Sequence, residues 1–324
     1  PLPAEHADAA VPPRLTSSGG AASKPVEPAK TESLDLRQFS PLLADERFSA
    51  ARTLVENDES EAAARAVLAV AATESDPVFV ARAHFAAARL FERAGRPALA
   101  LDAYQRAAAT SWPLEGDAWV RAADLLVALG RAPEALDALG RAPGLADETR
   151  TRLVRARALA AQEKWSEADD QLAAVLARDG AAEHRLLRAG FSRDAAARAS
   201  GEERQRAADR GFEEATRAVS GLPKTHDIAL RGARLQAELR KLGASPPGAP
   251  TLEERLAHLS GLVDRNALEE AEEFRKTIVF DARDFSDARC RYDASVAKLL
   301  SLERKWGEAA DQLVGDGGER AAVG

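Results

Sequence analysis

Cysteine occurs once, at Cys290, so no disulfide within the chain braces the fold. The five histidines, His6, His84, His184, His226 and His258, never fall at the i, i+4 spacing that sets two imidazoles on one helix face for a metal. No Cys/His cluster has zinc spacing, and no cofactor is implied. Methionine is absent and the first residue is a proline, which is the expectation for a trimmed or partial chain. No apolar run approaches the roughly 18 residues that span a bilayer, and no charged-then-apolar start marks a signal peptide, so direct membrane insertion is not expected. Nor is there a basic surplus: the formal charge is −7, with Lys and Arg interleaved among Asp and Glu, which speaks against a nucleic-acid partner. Aromatics make up only 5%, and the β-branched runs that mark strands are nearly missing.

What fills the chain is alanine, leucine, arginine and glutamate, all strong helix formers, which predicts an all-α protein. Residues 1–36 are rich in Pro, Ala, Ser and Gly, too poor in large apolar groups to offset the entropy of ordering, and read as a flexible leader. Its composition suits a tether to an export signal or lipid anchor, with a cytosolic tail as the alternative. Helix is expected to begin at Ser40-Pro41, a hydroxyl cap before a first-turn proline. Helical stretches then alternate with breaks at Glu56-Asn57-Asp58, Gly95-Arg96-Pro97, Gly130-Arg131-Ala132-Pro133 and Ala142-Pro143-Gly144, the pattern of antiparallel hairpins. A stronger break runs from Gly243 to Pro250, and Thr251 with Glu254 fits a capping box after it. The predicted organisation is a helical-repeat region over 37–245, then further hairpins over 246–324 ending in a frayed or truncated tail.

The breaks carry a repeat. Gly95, Ala100, Tyr104 and Ala107 superpose on Gly130, Ala135, Leu139 and Ala142 at an offset of 35 residues, a solenoid period. Trp119, Ala123 and Leu126 precede Gly130 as His84, Ala88 and Phe91 precede Gly95, and a third unit has Ala156, Leu159, Trp165, Ala168 and Leu172. Two helices of a hairpin cross closely only where small residues meet, which assigns Ala88, Ala100, Ala123 and Ala135 to the crossings. Lys164-Trp165 to Leu172 recurs as Lys305-Trp306 to Leu313, seven matches in nine at an offset of 141, close to four periods. Between them residues 181–242 keep no clear turn signature, and Leu268, Ala271 and Phe274 form a partial unit.

The units around 81–175 and 290–314 resemble tetratricopeptide repeats. Taken over about 40–314, irregular Ala/Leu/Arg-rich hairpins ending in Cys290-Arg-Tyr-Asp293 and Lys298 to Trp306 resemble the non-catalytic superhelix that precedes the catalytic domain of soluble lytic murein transglycosylases. That resemblance implies an α-solenoid lying near a peptidoglycan strand in the periplasm or cell envelope, with a cytoplasmic scaffold as the alternative. In that family a separate lysozyme-like domain performs the chemistry, marked by a Glu-Ser pair and a downstream Gly-Leu-Met-Gln. The Glu-Ser pairs here, Glu32-Ser33, Glu59-Ser60 and Glu74-Ser75, sit in the leader, a turn and a loop, and there is no methionine. No catalytic residue carries over, and transglycosylase activity is expected only if a catalytic domain follows residue 324.

Other chemistry is equally unsupported. Asp281, Asp284, Asp287 and Asp293 lack the spacing, central glycine and final glutamate of an EF-hand and read as solvated helix positions. Cys290, flanked by Arg289 and Arg291 with no histidine near in sequence, reads as a buried structural thiol. The pairs Gly19-Gly20 and Gly317-Gly318 lack the strand-glycine-helix layout of a phosphate loop. What remains is a groove. In tetratricopeptide geometry the first helix of each hairpin lines the concave face, which would present Arg82, Phe85 and Arg89, then Asp117, Val120 and Asp124, then Arg150, Leu153 and Arg157. Arginine with apolar neighbours suits a carboxylate-bearing peptide of a protein partner, or the lactyl and peptide carboxylates of a peptidoglycan strand.

Overall fold

The computed structural model describes residues 42–245, 248–280 and 286–314, and every regular element among them is helical. The leader, the Ser40-Pro41 helix start, both Gly-Gly pairs, Asp281, Asp284 and the tail after Val314 lie outside the described residues. Hairpins are formed by α1 (Ser49–Glu56) with α2 (Ser60–Ala71), α3 (Pro77–Arg93) with α4 (Pro97–Ala107), and α5 (Glu115–Ala128) with α6 (Ala132–Gly140). Two more pair α7 (Thr149–Ala161) with α8 (Trp165–Leu176) and α9 (Ala182–Arg198) with α10 (Gly201–Val219). Then α11 (Asp227–Lys241) stands singly before α12 (Leu252–Asp264) with α13 (Leu268–Arg275) and α14 (Asp287–Leu302) with α15 (Trp306–Val314). Most helices pack chiefly on their chain neighbours, the arrangement of an α-solenoid, while α12 packs most on α14. No described helix is long and apolar enough to cross a membrane.

Six hairpins turn by one device. The first helix ends on a residue with positive φ, at Asp58 (63°), Gly95 (67°), Gly130 (75°), Glu163 (62°), Asn266 (58°) and Arg304 (63°). The next residue's N–H returns to the carbonyl five positions back, as Glu59 to Leu54 (2.8 Å), Arg96 to Phe91 (2.9 Å) and Lys305 to Leu300 (2.9 Å), which is the Schellman closure. Two second helices carry a proline in their first turn, Pro97 and Pro133, where a missing N–H loses nothing. Seven residues before the turn stands an alanine in five of the six units (Ala51, Ala88, Ala123, Ala156, Ala297), and five after it an alanine in all six (Ala63, Ala100, Ala135, Ala168, Ala271, Ala309). All eleven are at most 7% exposed, so small residues do occupy the helix crossings.

The period then slips. Helix α11 ends on the same closure, Gly243 at φ 102° with Ala244 N–H bonded to Leu239 (2.9 Å), yet residues 244, 245 and 248–251 are not helical. The chain re-enters helix at the predicted capping box, Thr251 and Glu254 bonded reciprocally, and α12 itself ends on the first-helix turn at Asn266. That turn has moved from odd-numbered to even-numbered helices. Helix α12 docks instead on the turn between α10 and α11. A Cβ on Gly261 would lie 2.6 Å from the Gly221 Cα, so the backbones touch where both residues lack side chains. Gly221 N–H donates to His258 Nδ1 (2.6 Å), and Arg265 donates to the Gly221 carbonyl (3.1 Å). Apolar burial is correspondingly divided into a large cluster from Phe48 to Ala158 and smaller ones around Leu159, Phe212 and Leu259.

Candidate binding face

Helices α3, α5 and α7 carry the nine residues expected in the groove. The structure gathers three of them: Asp124 of α5 sits between Arg150 (3.7 Å) and Arg157 (3.3 Å) of α7. A second cluster forms around a residue the spacing argument missed, Glu92, which is paired with Arg89 (3.7 Å) and Arg121 (3.6 Å) and accepts from the Tyr104 hydroxyl. Burial and that bond together raise the Tyr104 pKa, so the phenol remains a donor. Phe85 belongs to this cluster too, its ring edge-on to Tyr104 (5.3 Å) and Trp112 (5.6 Å).

The rest are placed differently. Val120 does not line a groove: it is 3% exposed and part of the main apolar cluster. Asp117 and Leu153 are half-buried, and Arg82 is half-buried and engaged with its neighbours. Cys290 departs from expectation as well. It is exposed, since the buried face of α14 begins only at Val296. The flanking Arg289 and Arg291 reach Asp293 (3.0 Å) and Glu253.

The face is therefore a ladder of alternating charge whose members already satisfy one another. Arg150, Arg157 and Asp124 keep 43%, 44% and 36% of their side-chain surface exposed, and pairs that wet contribute about 0–1 kcal/mol each.

Charge of another kind lies deeper. Glu214 of α10 is 4% exposed and is held by Arg185 (3.1 Å) and Arg188 (3.1 Å) of α9, with Arg217 at 3.6 Å. Arg188 also grips Asp169 of α8 through two bonds of 2.7 Å. Burial alone would raise the Asp169 pKa, but the Arg188 bonds and charge outweigh it and lower it. This network ties three successive helices, α8, α9 and α10. In sequence Glu214 is one of several acids on a polar helix, and nothing in its spacing marks it as buried.

Two clefts accompany these clusters. One of about 280 Å³ lies beside Trp165, between Phe191, Arg206 and Arg210. A larger one of about 470 Å³ opens at the slip, between α10, α11, α12 and α13. Among the described residues no group of three or more His, Cys, Asp or Glu is placed to hold a metal ion. The chain matches no protein-family model, and no curated protein matches it in sequence.

Proposed function

We propose that this protein is a non-catalytic helical scaffold that holds an extended, charged segment of a partner protein across the first helices of its hairpins. The Asp124, Arg150 and Arg157 cluster carries the reading: a half-buried acid clamped by two arginines from the next hairpin is a site where a partner's carboxylate exchanges for an internal one. Satisfied internal pairs also make such a face selective, since a segment lacking the matching charge leaves a group unpaired. A second reading, docking of a peptidoglycan strand in the cell envelope, draws on the resemblance of the irregular hairpins over about 40–314 and on Trp306, 67% exposed at the start of α15.

One experiment separates them. The chain is sedimented with purified peptidoglycan sacculi while muropeptide release is followed, and in parallel immobilised chain is used to capture partners from envelope and cytosolic extracts. The scaffold reading expects a partner retained by the wild type and lost from the Arg89→Glu, Arg150→Glu, Arg157→Glu triple variant, with no sacculus binding. Sacculus binding without release moves the assignment to peptidoglycan. A partner retained equally by both proteins removes the charged face from consideration.

A further inference from the structure

The larger cleft exists because the helical alternation slips: α11 and α12 lack the close packing that joins other neighbouring helices, and the space between them stays open. Its volume of about 470 Å³ falls within the ~300–1,000 Å³ of sites that enclose small organic groups. Phe212 and Val219 of α10, Phe274 of α13, and Pro250 ahead of α12 supply apolar walls. The charged residues at its edge are three arginines, Arg217, Arg240 and Arg255, against two glutamates, Glu213 and Glu254. Both glutamates are committed, Glu213 to Arg217 (2.5 Å) and Glu254 to the Thr251 N–H (2.9 Å) and hydroxyl (3.1 Å). Arg255 donates to the Thr277 carbonyl.

Arg240 differs. It has no ion pair with any described residue, and its guanidinium lies over the Phe212 ring at 5.0 Å. A planar fork of donors set against an aromatic floor is matched by a carboxylate on an apolar body. His258 adds to the donor side: because its Nδ1 accepts from Gly221, the ring proton is on Nε2. A phosphate dianion fits less well, since Glu213 and Glu254 stand at the same rim and only Arg240 and Arg255 are without a carboxylate.

We propose that this cleft binds a compact apolar carboxylate, its charge at Arg240 and its body against Phe212 and Phe274. The chemistry is shared by a free medium-chain acid and by the free C-terminus of an apolar peptide, and the experiment distinguishes these sources. Calorimetric titration at pH 7 uses decanoate below its micellar concentration, decyltrimethylammonium as the same chain with reversed charge, and an acetylated peptide ending in Leu-Leu as free acid and as amide. At least one acid is expected to bind saturably, and its oppositely charged or amidated counterpart to bind at least about tenfold more weakly, a difference of ~1.4 kcal/mol. Arg240→Gln, an exposed position, is expected to reduce acid binding by a similar factor, and Arg240→Lys to restore part of it. Ser220→Trp, also exposed and at the cleft, is expected to abolish binding by filling it. Saturable binding of decanoate alone identifies a free acid as the ligand, and of the peptide acid alone a chain terminus. No saturable binding of either acid at millimolar concentration, or binding unchanged in both Arg240→Gln and Ser220→Trp, overturns the proposal.

Discussion

His258 is held by a bond that only its neutral form can make, the Gly221 N–H donating to Nδ1 at 2.6 Å. Burial depresses its pKa, with Glu270 acting upward and Lys224 downward. A histidine whose folded pKa lies below the unfolded value of ~6.5 contributes its stability above that pH and loses it as pH falls through the folded value. The melting temperature is therefore expected to drop on acidification from pH 7.5 to 5.5. His258→Asn, which keeps an acceptor but does not titrate, should flatten that drop, while His84, lowered in pKa by burial as well, keeps part of it. Parallel pH slopes for variant and wild type would refute the assignment. Other residues of the candidate site were only partly legible. The 35-residue period placed Asp124, Arg150 and Arg157 on first helices, but their partnership is a contact between hairpins that no local spacing encodes. Val120 was misplaced for a related reason: between Asp117 and Asp124 it reads as part of the same face, and its burial in the main apolar cluster depends on packing between helices.

At the scale of elements, the recurring turn asks for a left-handed residue, and four of its six positions lack glycine. A non-glycine residue there costs roughly 1–2 kcal/mol, partly offset where asparagine is used. Arg304 is the clearest case, at φ 63° in an exposed turn. Arg304→Gly is expected to stabilise the α14–α15 hairpin by about 0.5–1 kcal/mol, and Gly130→Ala to destabilise α5–α6 by a similar amount, since its added Cβ meets nothing within 4 Å and only the backbone is strained. Denaturant unfolding of both variants checks the opposite signs; a destabilised Arg304→Gly would mean that the side chain contributes something the turn geometry does not account for. The same substitution pattern explains what the sequence concealed. Units with Gly95 and Gly130 announce themselves, whereas those turning on Asp58, Glu163, Asn266 and Arg304 carry no glycine to be seen. The helices, the small-residue crossings and the capping box at Thr251 were readable because each depends on local propensity. The slip after α11 was visible only as a strong break, because its consequence, a change in which helices end on the left-handed turn, depends on what α12 docks against.

At the scale of the molecule, apolar burial among the described residues is discontinuous. The cluster of α12 to α15, built on Leu256, Leu259, Leu262, Val296 and Leu299, is separate from the cluster that runs from Phe48 to Ala158. Solenoids of this kind are held by nearest-neighbour interfaces, so their parts open at different free energies. The weakest coupling belongs at the slip, where α12 meets the α10–α11 turn through paired glycines, one histidine bond and Arg265. Gly261→Ala tests it directly. The added Cβ would stand 2.6 Å from the Gly221 Cα and 2.9 Å from its carbonyl oxygen, both backbone atoms that cannot rotate away. Overpacking of this sort typically costs ~1–3 kcal/mol, and here it falls on one interface. Amide hydrogen exchange is expected to quicken across 252–314 while protection in α3 to α6 stays as in the wild type, and thermal unfolding to broaden or divide into two steps. Uniform loss of protection along the chain would mean that the two ends are cooperatively linked through the slip. A cleft at that joint would then transmit ligand binding to the charged face of α3, α5 and α7; independent opening confines its effect to α10 through α15.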